Sequence, residues 1–307
     1  MMMSKEKHFI SSAKKKQQRI AYGFVFPYVL MFSIFIIIPV IIAIFLSFTY
    51  FDTVRAPSWV GFENYIYLFT SDEIFMQKVL ANTLKYAVIV GPGSYILSFM
   101  LAWILAQLTP KLRTVLALII YSPSLTGGIT MAVLWRIIFA GDSSGYLNSI
   151  LLRLGMIVEP IVFLQSQDFL LLIMVIVTLW SSMGVGFLAI LAGILNVNQE
   201  MYEAGYIDGI KNKFQEIIYI TIPSIKPQML FGAVMAIVGT FASAGIGVAL
   251  SGSNPTPQYA GQLIVNHIEY FGFSKYEMGY AAALSVVLLF FVYLVSRFAY
   301  RLFGSKD

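Results

Sequence analysis

Residues 203–227 read Glu203-Ala204-Gly205-Tyr206-Ile207-Asp208-Gly209-Ile210-Lys211-Asn212-Lys213-Phe214-Gln215-Glu216-Ile217-Ile218-Tyr219-Ile220-Thr221-Ile222-Pro223-Ser224-Ile225-Lys226-Pro227. This polar island of mixed charge lies between apolar runs long enough to cross a bilayer. Ala204, Ile207, Ile210, Phe214, Ile217 and Ile218 recur at helical spacing and are expected on one face. Asp208-Gly209 interrupts the pattern, and Pro223 with Pro227 ends it. The stretch reads as a short helix, a tight turn and a second helix at the membrane surface. Such a pair offers a knob to a soluble partner.

Composition places the rest of the chain in the membrane. It is 59% hydrophobic and 11% charged, against about 25% charged in soluble domains. Six stretches reach the roughly 20 apolar residues that a spanning helix needs. They run over about 21–50, 80–108, 112–140, 168–196, 227–250 and 278–303. The expected fold is all-α, a polytopic bundle of six spans with a short helix pair outside the bilayer. A basic tail over 1–20 precedes the membrane domain at 21–303, and 304–307 form a second tail. The apolar run from Tyr22 to Tyr50 exceeds the 7–15 residues of a signal-peptide core and reads as an uncleaved first span.

Lys and Arg placement sets the orientation. Lys5, Lys7, Lys14, Lys15, Lys16 and Arg19 precede span one. Lys111 and Arg113 lie between spans two and three, Lys211, Lys213 and Lys226 in the island, and Arg297, Arg301 and Lys306 at the end. These are most of the 20 basic residues, all on one side. The positive-inside rule makes that side cytoplasmic, with both termini and the 200–227 loop. This explains the net charge of +5 without nucleic acid.

The missing groups narrow the function. The 15 acidic residues sit in tails, loops or span ends. Mid-span carboxylates usually mark proton or sodium coupling. Cysteine is absent, the two histidines are His8 and His267, and no cluster has metal-ligand spacing. No phosphate-cradling P-loop run occurs. Energy for transport must come from a partner. A membrane enzyme acting on a lipid-linked substrate is the alternative, but it needs ionisable groups at a membrane-level cleft. An exporter or channel gives no reason for a knob.

Polar residues within the spans mark a candidate path. Thr178, Ser181, Ser182 and Val185 follow i, i+3, i+4, i+7 and share one face of span four. Ser124 and Gly128 occupy a comparable face of span three, as do Met235, Val238 and Gly239 in span five, with Ser243 a turn further. Each hydroxyl could equally be bonded back to its own helix. Gly127-Gly128 and Gly184/Gly186 could line a pore or serve close packing. Gly91-Pro92-Gly93 reads as a static kink, and Arg136 is expected to snorkel to the headgroups.

The island also carries a family resemblance. Glu203-Ala204, Asp208-Gly209 and Ile222-Pro223 with Pro227 resemble the EAA loop of ABC importer permeases. Gly205 and Ile210 stand where that pattern has small alanine-like residues. Trp59-Val60-Gly61-Phe62-Glu63-Asn64-Tyr65, Ala81-Asn82-Thr83 and Met278-Gly279-Tyr280-Ala281-Ala282-Ala283 are similar to stretches of maltose-type, six-span carbohydrate-uptake permeases. The resemblance covers about residues 20 to 303. It implies that Glu203, Ala204, Gly205, Asp208 and Gly209 dock on a cytoplasmic ATPase. It implies that Ser124, Gly128, Thr178, Ser181, Ser182, Met235, Gly239 and Ser243 lie on the sugar path. Several of these path positions hold small residues, which favours a wide, weakly contacting cavity. Implied partners are a second homologous permease subunit, an ABC ATPase dimer and an extracellular or periplasmic sugar-binding protein. Implied, too, is that the chain itself binds no cofactor, and that ATP and Mg serve the ATPase. The mechanism implied is alternating access in a cytoplasmic membrane.

Overall fold

The computed structural model describes residues 2–126, 128–242 and 245–303, with side chains over 17–126, 130–241 and 245–301. Three helices cross as single rods: Gln17–Leu46, Phe75–Ala106 and Met278–Arg301. Spans three and four are each broken in two, where the sequence reads as continuous, and span five begins at a sharp corner with the island.

Each break has a local cause. Span three divides into Pro110–Leu125 and Thr130–Ile138. Pro123 there has no N–H for the helical ladder. Span four bends by 43° between Leu170–Ser181 and Val185–Leu195. Ser181 Oγ donates to Val177 O at 3.1 Å and Ser182 Oγ to Leu179 O at 2.7 Å. Such back-bonding bends helices, and Gly184 follows directly. Lys213–Ser224 turns by 87° at Ile225 into span five, Lys226–Phe241. Pro223 and Pro227 flank that corner, the latter in a first turn where a missing N–H is tolerated. Span two runs unbroken through Pro92.

Spans two, four and five pack on one another, with span six against five and span one against six. One apolar core, including Tyr86, Val90, Leu170, Met174 and Leu263, fills one half of the bundle. A second, including Ala102, Leu105, Phe187, Ile190 and Met229, fills the half nearer the knob. Span one is wholly exposed along its most apolar window.

The resemblance-bearing stretches tie the outer segments down. Trp59 stacks on Phe48 at 5.6 Å, beside Phe62 and Tyr65, an aromatic cluster of the kind found at membrane interfaces. Asn64 Nδ2 donates to Ser47 O and Thr49 O. Asn82 Nδ2 donates to Tyr259 O at 2.8 Å, and Thr83 Oγ1 accepts from the Ile264 N–H at 3.0 Å. Gly279 lies so close to Thr49 and Phe51 that a Cβ would collide with their backbone. Arg136 is exposed, and its Nε donates to Leu250 O at 3.1 Å, at the end of the helix Ile246–Ser251. A cation suits such a C-terminus.

Candidate functional site

The island folds as two helices, Gln199–Ile207 and Lys213–Ser224. Asn198 and Asn212 cap them, accepting from the N–H groups of Glu200 and Gln215. At the turn Gly209 has φ +97°, a backbone region that disfavours any side chain. The Ile210 N–H closes the turn onto Gly205 O at 2.9 Å.

Of the apolar residues expected on one face of this knob, Ile207 is 87% exposed and Phe214 71% exposed, Ala204 and Ile218 are exposed as well, and Ile210 and Ile217 are half-buried. Between the two helices lie Gly205, Glu216, Ile220 and Thr221, all buried. A Cβ on Gly205 would stand 2.6 Å from Ile220 Cδ1 and 3.0 Å from Ile210 Cδ1. Glu203 and Asp208 are exposed. Glu203 makes no hydrogen bond or ion pair among the described residues, so it does not brace the turn. The knob thus presents carboxylates, a small Ala204–Gly209 patch and two bare apolar side chains.

A cavity of ≈ 200 Å³ opens between spans two, four and five. Thr178, Ser181, Ser182, Val185, Met235, Val238 and Gly239 line it. Ser124 is not among its lining residues, but a Cβ on the lining residue Gly184 would stand 3.9 Å from Ser124 Cβ. Gly128 opens the helix Gly128–Ile138. Its surroundings, and Ser243 altogether, lie outside the described residues. No charged side chain lines the cavity among the described residues. Thr178 Oγ1 lies 2.7 Å from Tyr86 Oη. Gly184 and Gly186 border the cavity, and Gly186 also packs closely: a Cβ there would be 3.3 Å from Gly232 Cα.

No family model matches the chain. Similar proteins do exist. Over 92% of its length the chain is 31% identical to the arabinooligosaccharides transport system permease protein AraP of Bacillus subtilis (strain 168), covering 88% of that protein. Over 95% it is 30% identical to the probable ABC transporter permease protein YesP of the same organism, covering 92% of it. The chain belongs to the ABC transporter permease family. A crystal structure of a bacterial alginate ABC transporter, in complex with an alginate pentasaccharide-bound periplasmic protein, has a chain with the same fold. The TM-score is 0.76 at 22% identity, covering 94% of this permease and 95% of that chain. The permease is a membrane-embedded transport component, and nothing supports the lipid-enzyme alternative.

Two features of the permease escaped the sequence reading. Val90, Ser94 and Ser98 of span two, and Thr240 of span five, also line the cavity. The 90–94–98 spacing is a one-face stripe like that of span four. The second is an outer cluster. Asp72 Oδ2 accepts from Tyr280 Oη at 2.6 Å and lies 2.9 Å from His267 Nε2, while Oδ1 accepts from the Phe75 N–H at 2.8 Å. All three side chains are buried, with Phe271 against His267 and Tyr280. Burial pushes the Asp72 carboxyl up, but the bonds from His267, Tyr280 and Phe75 outweigh it and hold it below the usual carboxylate value. No local pattern links residues 72 and 267.

Proposed function

We propose that the permease imports a carbohydrate, an oligosaccharide, as half of a pore driven by a cytoplasmic ATPase dimer. The observation that carries this is mechanical. The knob's first helix follows the second half of span four, and its second helix turns directly into span five. Those two spans wall the cavity. A push on Ile207 and Phe214 therefore reaches span four through the short link 196–198 and span five through the corner at Ile225.

Glu203, Ala204, Asp208 and Gly209 are exposed and form the coupling surface, with Glu203 free for a basic group of the ATPase, whereas Gly205 is buried between the two helices and acts from beneath that surface by letting them approach. ATP closure of the dimer turns the bundle from inward-open to outward-open, and hydrolysis resets it. A second homologous permease supplies the other half of the pore, and an extracellular or periplasmic binding protein delivers the sugar. ATP and Mg are the ATPase's, and both termini lie in the cytoplasm beside it. Thr178, Ser181, Ser182, Met235 and Gly239 contact the passing sugar, and Ser124, Gly128 and Ser243 extend the path.

The carbohydrate assignment draws on the arabinooligosaccharide permease above and on the lactose transport system permease protein LacF of Rhizobium radiobacter. The latter is 28% identical over 75% of this chain. Ser94, Ser124, Ser181, Ser182 and Thr240 all donate to carbonyls of their own helices. Their remaining lone pairs suit hydroxyl donors of a neutral sugar. The test replaces Gly209→Pro and Glu203→Lys in the full complex. Both should insert normally yet lose sugar uptake and retain less ATPase on purification. Normal uptake by both refutes the coupling role.

A further inference from the structure

Glu216 is 4% exposed, between the two knob helices. A buried carboxylate is costly unless paired, and an apolar side chain of like size would pack there at no loss. Its surroundings explain how it is held. Tyr206 Oη, on the first helix, donates to Glu216 Oε2 at 2.5 Å. Lys213 Nζ reaches the same oxygen at 2.7 Å and Tyr206 Oη at 3.2 Å. One oxygen therefore gathers a donor from each side of the turn. Bonds to an ionised acceptor are short and strong. Lys213 is 56% exposed, so its share is screened by water and the Tyr206 bond is the principal tie.

The segment between the helices could otherwise act as a hinge. Asp208–Asn212 is non-helical, and Gly209 supplies the freest backbone in it. Other contacts reach across it: Tyr202 Oη to Thr221 Oγ1 at 3.3 Å, Lys213 Nζ to Tyr206 Oη at 3.2 Å and Ile220 seated on Gly205. The first two are long and the third is apolar and non-directional. The Ile210 N–H to Gly205 O bond is short but ends within the turn, before the second helix. Among the described residues, the Tyr206–Glu216 bond is the shortest directional tie from helix to helix.

We propose that Glu216 is a positioning residue that clasps the two knob helices into one lever. The inference rests on the reading of the knob as the ATPase-docking element. Glu216 and the Tyr206 hydroxyl do not bind the ATPase: the carboxylate is buried and the hydroxyl is tied to it, while the contact surface is Glu203, Ala204, Ile207, Asp208, Gly209 and Phe214. The clasp acts after docking, keeping spans four and five moving together. Without it the ATPase still binds and hydrolyses ATP, but its motion is absorbed at the turn.

The test uses the full complex of permease, partner permease, ATPase and sugar-loaded receptor in proteoliposomes, with labelled arabino-oligosaccharides as the probe. Variants are Glu216→Leu, Glu216→Gln, Tyr206→Phe and, as a docking control, Ile207→Asp. Glu216→Leu and Tyr206→Phe should co-purify wild-type amounts of ATPase, yet move roughly tenfold less sugar per ATP, the scale of one charge-assisted bond. Glu216→Gln keeps an oxygen for Tyr206 and should restore most of the ratio. Because the chain has no cysteine, spin labels can be placed uniquely at Glu200 and Lys211. Their distance distribution should broaden in the two uncoupled variants and stay narrow in Glu216→Gln. Ile207→Asp should instead release the ATPase. If Ile207→Asp releases it while Glu216→Leu and Tyr206→Phe keep the wild-type ratio, the clasp is refuted and docking stands. If Ile207→Asp retains the ATPase, the docking reading itself fails. Loss of ATPase binding in Tyr206→Phe would also overturn the proposal, because the hydroxyl would then be a docking group.

Discussion

Replacing Gly239 by tryptophan should stop sugar transport, whereas truncating Ser182 to alanine should barely slow it. A Cβ on Gly239 meets no heavy atom within 4 Å, so a side chain there grows into open space rather than into a neighbour. The cavity it enters holds ≈ 200 Å³, and an indole occupies most of that. Ser182 already donates its proton to Leu179 O at 2.7 Å and offers a passing sugar only an acceptor. Water can replace that contact, so its loss is worth about 1 kcal/mol or less, a factor of roughly five. The assay is ATP-driven uptake of a labelled sugar that the binding protein retains, in proteoliposomes holding the full complex, with the complex first verified as intact by size-exclusion chromatography. Gly239→Trp should abolish uptake while receptor-stimulated ATP hydrolysis persists. Wild-type uptake by Gly239→Trp would show that the cavity is not on the path. A loss beyond a hundredfold in Ser182→Ala would show a tight site in place of a weakly contacting one.

Other outcomes test separate parts of the structure. Gly209→Val puts a β-branched residue at φ +97°, a conformation that disfavours side chains by about 1–2 kcal/mol. ATPase retention should fall about tenfold, and unchanged co-purification would contradict the turn's role. Gly186→Leu pushes against the Gly232 backbone and Met235, overpacking worth about 1–3 kcal/mol. The purified permease should melt at lower temperature, and an unaltered melting point would refute the close contact of spans four and five. Asp72 is held below its ordinary pKa of about 3.9. Its contribution to stability is therefore full above that value and lost as pH falls through the lower native one. Thermal stability should drop in acid for the wild type and less steeply for Asp72→Asn. Equal slopes would show that the cluster does not carry the acid sensitivity.

The six spans and the knob were legible because both write themselves locally, as long apolar runs and as a polar interruption with Asp208-Gly209 and flanking prolines. The breaks in spans three and four were not. Pro123 and the Ser182–Gly184 stretch are compatible with either a kinked or an interrupted helix, and packing decides between them. Glu216 reads as one more charge on a solvated loop, and its burial depends on Tyr206 approaching from the other helix. The cavity was half visible. The span-four stripe stood out against apolar neighbours, whereas Ser94 and Ser98 were hidden beside Gly91-Pro92-Gly93. The Asp72–His267–Tyr280 cluster joins residues 195 and 208 positions apart, and no periodicity records such a contact.

The most direct test of the account compares labelled sugar uptake by the reconstituted permease alone with uptake by the permease assembled with its partner permease, ATPase and binding protein, the sugar being one that the binding protein retains. The assembled complex should accumulate sugar only with ATP and loaded receptor present, and the permease alone should neither hydrolyse ATP nor accumulate sugar under a proton or sodium gradient. Gradient-driven accumulation by the permease alone would contradict the reading of this chain as an ATPase-driven half-pore.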